Sequence, residues 1–202
     1  MENVHECVKE LKLRFRSLMN GVVSQSMRDK GVGYRVNFGV ELPRLREMAA
    51  AMQPDHALAQ ALWKEDIREC RILATLLQPV NTFCPELAEI WVEQMHYPEE
   101  AECAVQHLFA RLPYASEKAF EWIASEGEWF QVCGYLLLAR LFAAGRECSP
   151  RSEEEFFDQA VTALSAGPAT VSGAARKALV KFMDLSEANE ERVEQLLASA
   201  GQ

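Results

Sequence analysis

All eight prolines of this chain stand at the edges of segments whose apolar residues recur about every 3.6 positions, a pattern that only helices satisfy. Proline breaks a helix interior but fits the first turn, where its missing N–H has no partner to lose. Pro43, Pro54, Pro85, Pro98, Pro150 and Pro168 each stand just ahead of such a segment, and Pro79 and Pro113 each follow one. Residues 4–19 place Val4, Val8, Leu11, Phe15, Leu18 and Met19 on one stripe. Helical segments follow over 55–64, 66–77, 85–95, 98–112, 116–125, 129–144, 152–164, 168–183 and 186–199. Ser152, with Glu155 three positions on, reads as a capping box. No alternating run competes, so the fold class is all-α.

The helices come in pairs whose second members share a small residue at matching register. Cys70, Cys103 and Cys133 lie 33 and then 30 residues apart, and Arg176-Lys177-Ala178-Leu179-Val180 offers a fourth copy. A two-helix unit of that period predicts an α-solenoid of HEAT-like antiparallel pairs, curved, with a concave face left for a partner. Residues 1–202 are expected to form a single domain of this kind.

Charge narrows the function classes. The chain carries 21 Lys+Arg against 30 Asp+Glu, a net of −9, which argues against a surface that coats nucleic acid wholesale. The imbalance is sharp along the sequence, with residues 1–50 at +3 and residues 51–202 at −12, so any polyanion contact must be local. Six widely spaced cysteines without a C-x-x-C, and four histidines without H-E-x-x-H, give no metal-ligand pattern. A reducing cytoplasm with thiols mostly buried as small apolar residues is the expected setting, and neither a secretory core nor a membrane span is legible. No metal, cofactor or membrane partner is expected. Trp63, Trp91, Trp122 and Trp129 sit on apolar stripes and are expected in the core. Gly31, Gly33 and Gly39 surround Tyr34, Phe38 and Val40 in the one irregular stretch, which reads as a loop packed by its aromatics.

The run Phe38-Gly39-Val40-Glu41-Leu42-Pro43-Arg44-Leu45-Arg46-Glu47-Met48 resembles the segment ahead of the first full repeat in the AlkD-like DNA alkylation repair proteins. Leu62-Trp63 followed by Arg68-Glu69-Cys70-Arg71 looks like that family's next repeat, and Trp122-Ile123-Ala124-Ser125 with Trp129 looks like its central pair. The resemblance implies a curved array of HEAT-like pairs that holds duplex DNA in its concave face. Its catalytic members excise N3- or N7-alkylated purines without any cofactor. There an Asp carboxylate stabilises the oxocarbenium-like sugar, two tryptophans pack the backbone at the lesion, and an Arg holds phosphate.

Carried onto this sequence, the carboxylate falls on Glu102, one methylene longer. Tyr97 and Pro98 stand where the first tryptophan is expected, Val132 stands where the Arg is expected, and the second tryptophan falls on Lys177 or Lys181. Glu102 is thus the candidate carboxylate for catalysis. Arg35, Arg44 and Arg46, with Arg28 and Lys30 nearby, and Lys177 and Lys181 are the candidate DNA-binding cations. Three readings follow: a divergent lesion glycosylase, a DNA-binding protein that has kept the grip without the chemistry, or a non-catalytic HEAT-repeat scaffold whose partner is another protein.

Overall fold

A computed structural model of the chain describes residues 4–200, and these divide into two compact helical units that meet between Cys84 and Pro85. Among the described residues the only extended pairing is a single bridge between Val36 and Ile67.

The first unit holds α1 (Val4–Ser17), α2 (Gly21–Asp29), α3 (Leu42–Ala50), α4 (His56–Trp63) and α5 (Arg68–Leu77). Helix α2 has no counterpart among the segments expected from periodicity. It starts because Asn20 takes the N-cap role, its side-chain oxygen accepting the Val23 N–H at 3.2 Å. The same residue ends α1 two positions earlier than expected. The Asn20 backbone N–H donates to the Phe38 carbonyl at 2.9 Å and draws the chain away from the helix axis. Leu18 and Met19 therefore leave the buried stripe of Val8, Leu11 and Phe15 and face solvent.

The glycine-rich stretch is the packed loop expected. Tyr34 is buried, and Phe38 lies 6.2 Å from the Phe15 ring. A buried ion pair on the first turn of α5 clamps it. The Glu69 carboxylate accepts the Phe38 and Val40 N–H groups at 3.2 Å each, while the Arg68 guanidinium donates to the Val40 carbonyl at 2.8 Å and to Glu69 at 3.1 Å. Both charges satisfy one another and the loop backbone, which is what buried charges require. Gly39, at φ +69°, is needed here because a Cβ would come within 2.3 Å of the Asn20 carbonyl oxygen.

The second unit holds α6 (Pro85–Glu93), α7 (Pro98–His107), α8 (Ala115–Ile123), α9 (Glu128–Ala143), α10 (Pro150–Ala166), α11 (Ala169–Met183) and α12 (Glu187–Ala200). Short connections make α8–α9 and α10–α11 antiparallel hairpins. Helix α9 is the centre, packed against α7, α8 and α11, and it is buried from Val132 to Ala139. That environment explains why its apolar residues run round the helix instead of down one face. Gly134 lets α8 approach, since a Cβ there would come within 2.8 Å of the Ile123 backbone nitrogen. Phe142, Phe156, Phe157 and Phe182 stack edge-on or tilted between α9, α10 and α11.

Several local expectations change. Helix α10 is capped by Ser149, whose hydroxyl accepts the Ser152 N–H at 3.2 Å, so Ser152 lies inside the first turn and is not the cap. Proline at the following position suits that geometry. Trp63, Trp91 and Trp122 are core residues, but Trp129, on the first turn of α9, is only half-buried, and Ile90 of α6 is exposed. Cys70, Cys103 and Cys133 are buried, Cys7 and Cys148 are half-buried, and Cys84 is exposed. Small side chains at the repeated register thus serve close helix packing, whereas the other three thiols do not.

Candidate nucleic-acid interface

Three of the residues singled out from sequence meet in the second unit. Glu102, Val105 and Gln106 of α7 follow helical spacing, as do Leu136, Ala139, Arg140 and Ala143 of α9, and Arg176, Lys177, Val180 and Lys181 of α11. The three stripes line one open groove of about 490 Å³. Its floor is apolar and its rim is charged, with four cations and one carboxylate. The whole unit from residue 85 onward holds nine Lys/Arg and twenty Asp/Glu, so nearly half of its positive charge lines this single depression.

Of the unit's five other cations, two are held in ion pairs. Lys118 is held by Glu89 at 2.5 Å and Glu121 at 2.7 Å, which keep its ammonium charged and raise its pKa against the cost of desolvation. Arg192 is paired with Glu153. In the groove, Lys177 bonds Glu102 at 2.6 Å and Lys181 bonds Asp184 at 2.7 Å, in both cases across half-exposed side chains. Arg140 and Arg176 have no ion-pair partner among the described residues, so their guanidiniums are available to an external anion.

A smaller depression of about 190 Å³ adjoins the groove across the Glu102–Lys177 pair, lined by Pro98, Glu102, Val132, Leu136, Gly173 and Lys177 among others. The structure therefore gathers Pro98, Glu102, Val132 and Lys177, the positions aligned by resemblance with the excision machinery, into one place. Of the two candidates for the second tryptophan position, Lys177 lines it and Lys181 does not. Glu100, the neighbour of Glu102 in sequence, has a different task. Its buried carboxylate accepts the His96 N–H at 2.7 Å and the Tyr97 N–H at 3.2 Å, closing a capping box at the start of α7.

Arg35, Arg44 and Arg46 belong to the first unit, outside this groove, and all three are exposed. The Arg35 backbone N–H is held by the Asp66 carboxylate at 3.2 Å, and Arg44 is paired one turn along its helix with Glu47 at 2.7 Å, which raises the Arg44 pKa. Arg140 and Arg176 complete the rim of the groove without having been chosen from sequence. For Arg140 the signal is present: it is the one charged residue between Glu128 and the end of α9. Among the described residues no group of three or more His, Cys, Asp or Glu is placed to hold a metal ion, and no helix is long and apolar enough to cross a membrane.

The family model for "DNA alkylation repair enzyme" matches residues 11–166. No curated protein matches the sequence. A solved structure described as "A new family of proteins related to the HEAT-like repeat DNA glycosylases with affinity for branched DNA structures" superposes with a TM-score of 0.84 at 15% identity, over 95% of this chain and 82% of that one. The helix-pair architecture read from the repeat spacing is thus a HEAT-like repeat fold.

Proposed function

Because the chain belongs to the DNA alkylation repair enzyme family, we propose that it is a divergent member that grips duplex DNA by its phosphates and does not excise bases. One observation carries the reading: four cations rim a single groove of a strongly acidic unit, two of them without a protein partner. Cations concentrated against a negative background attract a polyanion locally and repel it elsewhere, which supports this groove as the contact. Arg140, Arg176 and Lys181 bind phosphate oxygens while Lys177 is held by Glu102 at the same rim, and Arg35, Arg44 and Arg46 supply further phosphate contacts from the first unit. The affinity for branched DNA described for the structural relative supports DNA as the polyanion.

Excision is set aside on chemistry. A carboxylate stabilises a cationic sugar less when a cation offsets its charge, and Glu102 meets the Lys177 ammonium at 2.6 Å. Val132 has no group that pairs with phosphate, and the indole expected beside it is replaced by Tyr97 and Pro98.

The test is a salt-dependent titration of the full chain on duplex DNA, with release of 7-methylguanine followed in parallel. Binding at low salt is expected, with a log–log slope that becomes shallower by about 0.9 in Arg140→Ala or Lys181→Ala, and without base release. Absence of binding at low salt overturns the reading and leaves a protein partner in its place. Base release that is lost in Glu102→Gln restores the glycosylase.

A further inference from the structure

Four large apolar side chains lie exposed within ten residues at the start of the chain: Leu13 at 60%, Leu18 at 42%, Met19 at 59% and Val22 at 81%. Only three other large apolar residues are comparably exposed among the described residues. A monomer gains nothing from such a concentration, which marks a surface that something covers. Leu18, Met19 and Val22 flank the turn between α1 and α2, and that turn is rigid. Asn20 caps α2 with its side chain, and its backbone N–H is tied to Phe38. Gly39 packs so closely that no side chain fits between it and the Asn20 carbonyl.

The charges around the turn say what the covering partner is. Residues 11–28 contain Lys12, Arg14, Arg16 and Arg28 and not one Asp or Glu, in a protein of net charge −9. Lys12 is taken by Glu65 at 2.7 Å, while Arg14, Arg16 and Arg28 are exposed. A second copy would bring like charges together, so the partner is an anion that also offers an apolar surface. Continuous duplex DNA meets the first condition but hides its base faces within the stack. DNA with an interrupted stack meets both, because a nick, a gap or a branch exposes the face of a terminal base pair. Leu and Met are among the side chains that enter such steps as wedges, and cations beside them hold the flanking phosphates.

We propose that the α1–α2 turn is an apolar wedge, formed by Leu18, Met19 and Val22, that covers the exposed base-pair face of DNA whose stack is interrupted, with Arg14 and Arg16 on the adjoining phosphates. The proposal rests on the DNA-binding reading above and adds to it a second contact, the α1–α2 turn, that favours DNA with an interrupted stack.

The experiment uses the full chain and three DNAs of equal length: a continuous duplex, the same duplex with one nick, and a three-way branch. Each carries 2-aminopurine beside the equivalent position, and anionic phosphatidylserine vesicles form a fourth arm. The wild type should bind the nicked and branched forms about tenfold tighter than the duplex, one well-buried apolar side chain being worth that much after unstacking is offset. The 2-aminopurine signal should change only in those forms. The double variant Met19→Ser/Val22→Ser alters exposed positions, so its melting temperature should be unchanged. It should bind all three DNAs with the duplex affinity.

Equal affinity of the wild type for all three DNAs overturns the wedge and leaves the groove reading standing. No binding to any of them overturns both. A preference that survives in the double variant also overturns the wedge. So does a double variant that instead loses vesicle binding, or one that turns a dimer into a monomer by light scattering, since the patch then serves a membrane or a second copy.

Discussion

Replacing Glu102 with Gln separates a DNA grip from a glycosylase more cleanly than removing any cation does. The Glu102 and Lys177 side chains meet at 2.6 Å with each about half exposed. An exposed pair of this kind is worth about 0.2–1 kcal/mol, so the ammonium it releases should tighten duplex binding by a factor of about 1.5–5. Removing a carboxylate from the rim also removes its repulsion of incoming phosphates, which acts in the same direction. If Lys177 then neutralises one further phosphate, the log–log salt slope steepens by up to about 0.9. The gain is therefore largest at low salt and disappears as screening grows. Fluorescence anisotropy on a labelled duplex across a salt series measures both quantities, and the melting temperature should hardly move because the pair is exposed. Weaker binding by Glu102→Gln at low salt would refute this account, as would a tightening with no salt dependence. Unchanged affinity with lost release of alkylated base would show that the carboxylate acts on substrate instead of holding Lys177.

Other perturbations probe the frame that presents these surfaces. Gly39→Ala should cost about 2 kcal/mol or more in urea unfolding, since it combines a left-handed φ with a backbone clash at Asn20. A loss under half of that would mean the α1–α2 turn can move away. Glu69→Ala removes the carboxylate beside the buried Arg68 guanidinium and frees two loop N–H groups, for an expected loss of about 2 kcal/mol or more. Burial, with smaller help from Glu65, pushes the Cys70 thiol from its ordinary 9.0 up to about 12. The fold thus favours the protonated thiol, and this stability is present below pH 9 and lost as pH rises toward 12. Urea unfolding at stepped alkaline pH should decline less steeply for Cys70→Ala than for the wild type.

Where helix boundaries rest on proline and on a stripe of apolar residues, they are legible from the letters alone. Pro85, Pro98 and Pro150 each begin a helix, and the spacing of Cys70, Cys103 and Cys133 gives the repeat. What escapes is decided by single hydrogen bonds between segments distant in sequence. Helix α2 exists because Asn20 caps it, and α1 stops because the same residue is tied to Phe38, some eighteen positions away. Periodicity sees Leu18 and Met19 as a continuation of the stripe and has no means of knowing that the axis ends at Ser17. The groove was half legible. Glu102, Lys177 and Lys181 emerge from the resemblance, whereas Arg140 and Arg176 join them only through the packing of α7, α9 and α11. Trp129 fails for the same reason in reverse: an apolar letter on the first turn of a central helix lies beyond the layer that covers the rest of it.

The substitutions in the smaller depression act in one direction. Carboxylate catalysis of glycosidic cleavage requires that the enzyme favour the cationic transition state over the neutral ground state. Lys177 opposes this by offsetting the charge of Glu102. The attraction of the rim cations Arg140 and Arg176 for phosphate is unchanged along that reaction, because the phosphate charge is unchanged. Interactions of that sort strengthen binding without accelerating the chemical step. Val132 has no group for a phosphate where the resemblance expects an Arg, and Tyr97 and Pro98 stand where it expects the first tryptophan. On the proposed reading, a cleft altered at these positions would hold DNA in its ground state, and the free energy gained there would be affinity instead of rate.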